Sequence, residues 1–146
     1  MKRRTFFGTL LTFTLSVTGI LILASYLRQF VPGKRSRSTR RLLGSGKSYP
    51  LDTYTYRSDC GVFVYRDNEG VRALSAVCTH LGCVLTATPD GFECPCHGSA
   101  FNREGQVLYG PAPRSLHWYA VERQADGNLV VDTARTVGPD VKCPGA

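Results

Sequence analysis

The sequence predicts a small all-β head, an antiparallel sandwich or barrel, carried behind an N-terminal transmembrane helix. Three observations predict it. Residues 6–27 hold no charged side chain, a run of 22. From residue 49 onward, short stretches rich in β-branched and aromatic residues alternate with turn residues, and none sustains a helical period. Finally, four of the six cysteines and two of the three histidines fall within residues 78–101. They sit in two short loops, a concentration of soft donors of the kind a small β domain uses to hold metal.

In chain order, residues 1–5 are basic and, together with Phe6 and Phe7, resemble the twin-arginine export signal: Arg3-Arg4-Thr5-Phe6-Phe7 gives two arginines, one residue, then two apolar ones. The run 6–27 is long enough to cross a hydrocarbon core of about 30 Å as a helix. It exceeds the core of about 7–15 residues in a cleaved secretory signal. It is therefore read as an uncleaved anchor, with cleavage after Ala24 the competing reading. Its Thr and Ser side chains can bond back to helix carbonyls, and Gly8 and Gly19 are tolerable in a membrane helix.

Charge is divided along the chain. Residues 1–47 hold ten Lys/Arg and no acid, whereas residues 48–146 hold eight against eleven. The basicity thus belongs to the membrane end, and a nucleic-acid role, which needs a basic patch on the head, is excluded. Counting positive flanks alone would put the C-terminal side in the cytoplasm. The twin-arginine pattern instead exports the head already folded around its metal. Export is preferred because a preassembled metal domain needs that route. The expected location is therefore the cell (inner) membrane, single-pass, with the head on the periplasmic side.

Residues 28–48 are basic, polar and glycine-containing and read as a flexible neck, with Gly44-Ser45-Gly46 its loosest point. Gly46-Lys47-Ser48 is no phosphate loop, because position 41 is Arg where that motif needs glycine. The head then spans residues 49–146. Its expected strands are 49–57, 61–66, 71–77, 92–93, 115–123 and 128–133. A hairpin is expected around Ala125-Asp126-Gly127.

The organising loops are Cys78-Thr79-His80-Leu81-Gly82-Cys83 and Cys94-Pro95-Cys96-His97-Gly98-Ser99-Ala100-Phe101. Two Cys/His pairs alone would suit structural zinc. Zinc leaves Cys83 and Cys96 unexplained. Each of these comes late in its loop, and a disulfide between them would clamp the loops and mark an oxidising compartment.

Together the loops closely resemble the cluster loops of Rieske iron–sulfur proteins, in the cytochrome bc1/b6f branch that oxidises quinol. The likeness extends through the anchor, the neck, the β head and the later Gly110-Pro111-Ala112-Pro113. It implies a Rieske-type fold and one [2Fe–2S] cluster per chain. Cys78 and Cys94 would hold the inner iron, and His80 and His97 the outer one, where they would couple electron to proton transfer. The resemblance further implies a Cys83–Cys96 disulfide, a quinol-site tip at Leu81 and Gly82, and a cover loop at residues 110–113. Ser99 and position 101 would tune the cluster. The family's high-potential members carry Tyr where this chain has Phe101, so a mid-range potential suited to menaquinol is expected.

The implied role is the electron-transfer subunit of a quinol:cytochrome c (or plastocyanin-type acceptor) oxidoreductase. Its partners would be a cytochrome b-type subunit and a c-type cytochrome. The head would swing on the Gly44–Gly46 neck. The competing role is a relay subunit such as that of arsenite oxidase. Cys60 and Cys143 are left over, open to a second disulfide or to one buried thiol and one tail thiol. His117 reads as a solvent-facing strand residue, and Tyr54, Tyr56, Phe63 and Tyr65 as alternating sheet faces.

Overall fold

A computed structural model describes residues 3–29 and 39–144. The chain falls into two compact units that divide between Ser36 and Arg37. The first contains helix α1 (Arg3–Arg28), of which Leu10–Arg28 is long and apolar enough to cross a membrane. Several of its hydroxyls bond within the helix: Thr12 donates to Gly8 O, Ser16 to Thr12 O and Thr18 to Thr14 O. That internal bonding lets a hydroxyl-rich segment remain compatible with hydrocarbon.

The second unit is built of antiparallel strands in two sheets. The larger contains β1 (Arg40–Gly44), β2 (Tyr54–Arg57), β3 (Val62–Arg66), β4 (Gly70–Ser75), β9 (Trp118–Arg123), β10 (Leu129–Val137) and β11 (Cys143–Pro144). Its order is β1-β10-β9-β4-β3-β2, with β11 beside β4. The smaller is a meander of β5 (Thr86–Thr88), β6 (Gly91–Glu93), β7 (Ala100–Asn102) and β8 (Val107–Tyr109). The expected hairpin joins β9 to β10, with Gly127 at φ +83° in its turn.

The large sheet is covered on both faces, which is why β3 is apolar without alternation. Val62, Val64, Val71, Ala73, Leu129 and Val131 face one core, which Leu43 and Cys143 complete. Phe63, Leu74 and Trp118 face the other, where the small sheet contributes Phe92 and Phe101 beside Cys78 and Cys94. The cluster loops therefore grow out of a packed core. Tyr54, expected on an alternating face, reaches that core and stands edge-on to Phe92 at 4.9 Å.

Three expectations change. Residues 40–48 are not neck: Arg40–Gly44 pairs with β10 and Gly46–Ser48 forms a 3-10 turn. The reason is Leu43, only 3% exposed, which plugs the core while the arginines before it stay on the solvent side of an edge strand. Gly44-Ser45-Gly46 therefore lies inside the head, and what remains of the neck, residues 30–38, lies outside the described residues. The 49–57 strand is confined to Tyr54–Arg57. Lastly, Cys60 and Cys143 are both unpaired, and Cys143 is a buried strand residue, not a tail thiol.

Candidate metal centre

Both loops close by the same main-chain pattern. Cys78 N donates to Cys83 O at 2.8 Å and Gly82 N to Cys78 O at 3.0 Å. In the second loop Cys94 N donates to Ser99 O at 2.8 Å and Gly98 N to Cys94 O at 3.0 Å. Gly82 and Gly98 both take positive φ, +80° and +69°. Matching the loops on these bonds pairs Cys78 with Cys94, His80 with Cys96, Leu81 with His97, and Cys83 with Ser99. Cys83 and Cys96 are therefore not equivalent positions, as their late placement in each loop suggested. They nonetheless form a disulfide, with Cα atoms 6.5 Å apart, tying the end of one loop to the middle of the other.

The two remaining loop cysteines, Cys78 and Cys94, are each 2% exposed. Burial pushes the Cys78 thiol up, while the His80 N–H and the Ser99 hydroxyl donate toward its sulfur. Burial acts on Cys94 too, but the N–H groups of Cys96 and His97 and the Cys78 thiol outweigh it and hold that thiol below its ordinary range. Hydrogen-bond donors thus already point at both sulfurs, as a ligating thiolate requires. Sulfurs of Cys83, Cys94 and Cys96 also lie within 4.8 Å of one another. Two of those are spent in the disulfide, so this proximity shows only that the bridge passes close to the Cys94 sulfur.

The imidazoles of His80 and His97 meet edge to face, ring centroids 4.8 Å apart and nearly perpendicular at 86°. His80 Nδ1 is buried with no hydrogen-bond partner. A buried imidazole nitrogen left unpaired costs free energy unless it holds something. Here it stands with a second imidazole and two buried sulfurs. Two sulfur and two nitrogen donors, with no carboxylate among them, match the Cys₂His₂ ligation of a two-iron Rieske centre. The residues present fit such a group.

The surroundings close one side and leave the other open. Ser99, fully buried, accepts from Ala112 N at 3.1 Å, so the cover loop is bonded to the second cluster loop. Gly110, at φ +98°, comes so near that an added Cβ would lie 2.5 Å from Ser99 Cα. Thr79 donates to Arg114 O at 2.6 Å, tying the first loop to the same cover. Thr79 was missed as a site residue, since its partner carbonyl lies 35 residues away and nothing local in the motif signals it. Pro111 and Pro113 stay exposed on the cover. On the open side Leu81 is 71% exposed, next to Gly82 and His97 at the surface. Phe101 is 1% exposed in the core that holds Cys78 and Cys94. His117 lies exposed just ahead of β9, away from this set.

Comparison with known proteins agrees with this geometry. Residues 39–129 match the family model of the Rieske [2Fe-2S] domain. The cytochrome b6-f complex iron-sulfur subunit of a Synechococcus species (strain JA-3-3Ab) is 32% identical over 89% of this chain and 86% of that protein. The corresponding subunit of Chlorobaculum tepidum is 37% identical over 62% of this chain and 48% of its own length. The chloroplastic one of Volvox carteri is 52% identical over 41% of this chain and 30% of its own. The chain therefore spans less than half the length of these last two relatives. With its two cysteines, two histidines and loop-clamping disulfide so disposed, the chain belongs to the Rieske [2Fe–2S] domain family.

Proposed function

We propose that this chain is the electron-transfer subunit of a quinol-oxidising membrane complex of the cytochrome b6f/bc1 type, anchored by α1 as a single span. The observation that carries the reading is the pair of imidazoles in edge-to-face contact on the two loops that also bury Cys78 and Cys94, with Leu81 and His97 exposed. Relatives named as cytochrome b6-f complex iron-sulfur subunits support it. When bound, a [2Fe–2S] cluster with two neutral imidazole ligands supplies a one-electron couple at about −150 to +300 mV.

The chain's own residues supply the rest. Cys78 and Cys94, buried in the core, would hold one iron of the cluster. His80 and His97 would hold the other iron, and the exposed His97 ring would leave a nitrogen free to take or release a proton where quinol binds. Leu81, with Gly82 beside it, offers an apolar tip to a cytochrome b-type partner. The cover loop, residues 110–113, shields the opposite side from water through the Ser99–Ala112 bond. Menaquinol is the preferred donor and a c-type cytochrome or similar carrier the acceptor, with the head on the extracytoplasmic side of the cell membrane.

A redox titration against pH, followed by EPR on the full chain in membranes, tests this. The expected result is a Rieske signal whose potential falls with rising pH, toward about 59 mV per unit where one proton accompanies one electron. A pH-independent potential would remove the proton-coupled role, and an EPR-silent protein would remove the cluster itself. Co-purification with b-type haem supports the quinol complex. Co-purification with a molybdenum protein instead would favour the relay reading.

A further inference from the structure

Strand β1 is the first strand of the head. It lies at the edge of the large sheet, pairs only with β10, and its ladder is irregular between Leu42 and Gly44. Of its five residues only Leu43 is buried. Outside that ladder Arg40 pairs with Glu122 at 2.7 Å and Thr133 donates twice to Thr39 O just ahead of the strand, while the carbonyls of Leu42 and Leu43 are both held by one side chain. Arg57, at the end of β2, donates from Nη1 to Leu43 O at 2.9 Å and from Nη2 to Leu42 O at 3.2 Å. The same Nη1 reaches the Tyr49 hydroxyl at 2.6 Å, and that hydroxyl donates on to Leu43 O at 2.8 Å. Both oxygens of Asp59 hold the guanidinium from the other side, each at 3.0 Å. A planar fork of five donors can take two successive carbonyls, a phenol and a carboxylate at once; an ammonium cannot.

We propose that Arg57, with Tyr49, is a positioning residue: a latch that fixes where the rigid head begins and so sets the length of chain between α1 and the head. If the latch opens, residues 40–48 leave the sheet and join the connecting segment. Those nine residues would add a reach of up to about 30 Å. Peeling stops at Tyr49, whose ring is buried and whose carbonyl accepts from Arg66 at 3.0 Å. The cluster loops are untouched, because Leu43 and Tyr49 belong to the core on the far face of the sheet. The latch stands on its own geometry; its effect on turnover rests on the proposed role as a tethered carrier.

Amide hydrogen exchange on the full chain in lipid, with Arg57→Gln, Arg57→Lys and Tyr49→Phe, tests it. In Arg57→Gln, exchange across residues 42–49 is expected to rise roughly tenfold or more, as three hydrogen bonds to one group are lost. Arg57→Lys should restore little and Tyr49→Phe should produce a smaller rise. Amides of β3 and β4 and the cluster's EPR signal should not change. Unchanged exchange at 42–49, or a rise shared by β3 and β4, overturns the latch. Turnover in the assembled complex should shift as it does when nine Gly/Ser residues are inserted within 30–38 of the native chain. If exchange responds but turnover does not match the effect of the insertion, the tether-length consequence is overturned and the latch stands.

Discussion

At the level of single residues, the potential of the centre should follow the donors aimed at its sulfurs. Ser99 is fully buried and accepts from Ala112 N, and its hydroxyl beside Cys78 favours that residue's charged sulfur. Ser99→Ala removes a donor that favours the reduced, more negative state, and its potential should drop. Phe101 lies in the same core as Cys78 and Cys94 and across from Phe92 in the sheet. A hydroxyl added there by Phe101→Tyr is expected to raise the potential. A hydrogen bond to a charged group is worth about 1.5 kcal/mol or more, which is about 60 mV for a one-electron couple. Protein-film voltammetry of the two variants measures both signs. A Phe101→Tyr variant with unchanged potential would mean that position 101 does not tune this centre. The sequence singles out these two positions because they follow Cys94-Pro95-Cys96-His97 in the same loop. It does not single out Arg57 and Thr79, since each acts on main-chain carbonyls supplied from far along the chain.

At the level of elements, the cover over the cluster loops is held at three points: Gly110 against Ser99, Ala112 N on the Ser99 hydroxyl, and Thr79 on Arg114 O. Gly110→Ala meets both a left-handed φ and a backbone overlap, a combination that costs about 2 kcal/mol or more. Thr79→Val keeps the shape and loses one bond, about 1 kcal/mol. Both should speed loss of the cluster's visible absorbance under mild heating, Gly110→Ala by more. The C-terminal clasp behaves differently. Lys142 bonds Asp67 at 2.6 Å and also Glu69, pinning β11 to β4. Burial pushes the Asp67 carboxyl up, but Lys142 and the N–H groups of Glu69 and Gly70 outweigh it and hold it below its ordinary 3.8. A carboxyl lowered on folding stabilises the fold above its unfolded value and loses that contribution as pH falls through the folded one. Thermal melting should therefore drop below about pH 4, and Lys142→Met should lower Tm at neutral pH by about 4–8 °C for a contribution of about 1 kcal/mol. Melting curves at pH 3 and 7 check both. Sequence pattern found β3, β4, β6, β9 and β10 because apolar runs and turn residues mark them. It missed β1, β5, β7, β8 and β11, which are two to five residues long and owe their pairing to neighbours they cannot specify alone.

For the whole molecule, the quantity at issue is which side of the membrane carries the head, and the chain holds two opposed signals. Six basic residues (Arg28, Lys34, Arg35, Arg37, Arg40 and Arg41) come after the apolar run and only three precede it, which by charge alone retains the C-terminal side in the cytoplasm. Arg40 is partly removed from that count by its ion pair with Glu122 across the sheet, at 2.7 Å. The Cys83–Cys96 disulfide points the other way, since an exposed bridge of this kind persists in an oxidising compartment. A head that folded around its cluster before crossing would need a route for folded cargo, and Arg3-Arg4 resembles the signal that such a route reads. Substituting both by Lys keeps every positive charge and so leaves the charge rule unchanged, while destroying the arginine pair. If the pair directs export, the Lys–Lys variant should leave the head protected from protease added to intact spheroplasts, with Cys83 and Cys96 in the thiol form. The native chain should be cleaved and carry the bridge. Equal protease sensitivity of the two would show that the arginine pair has no part in placing the head.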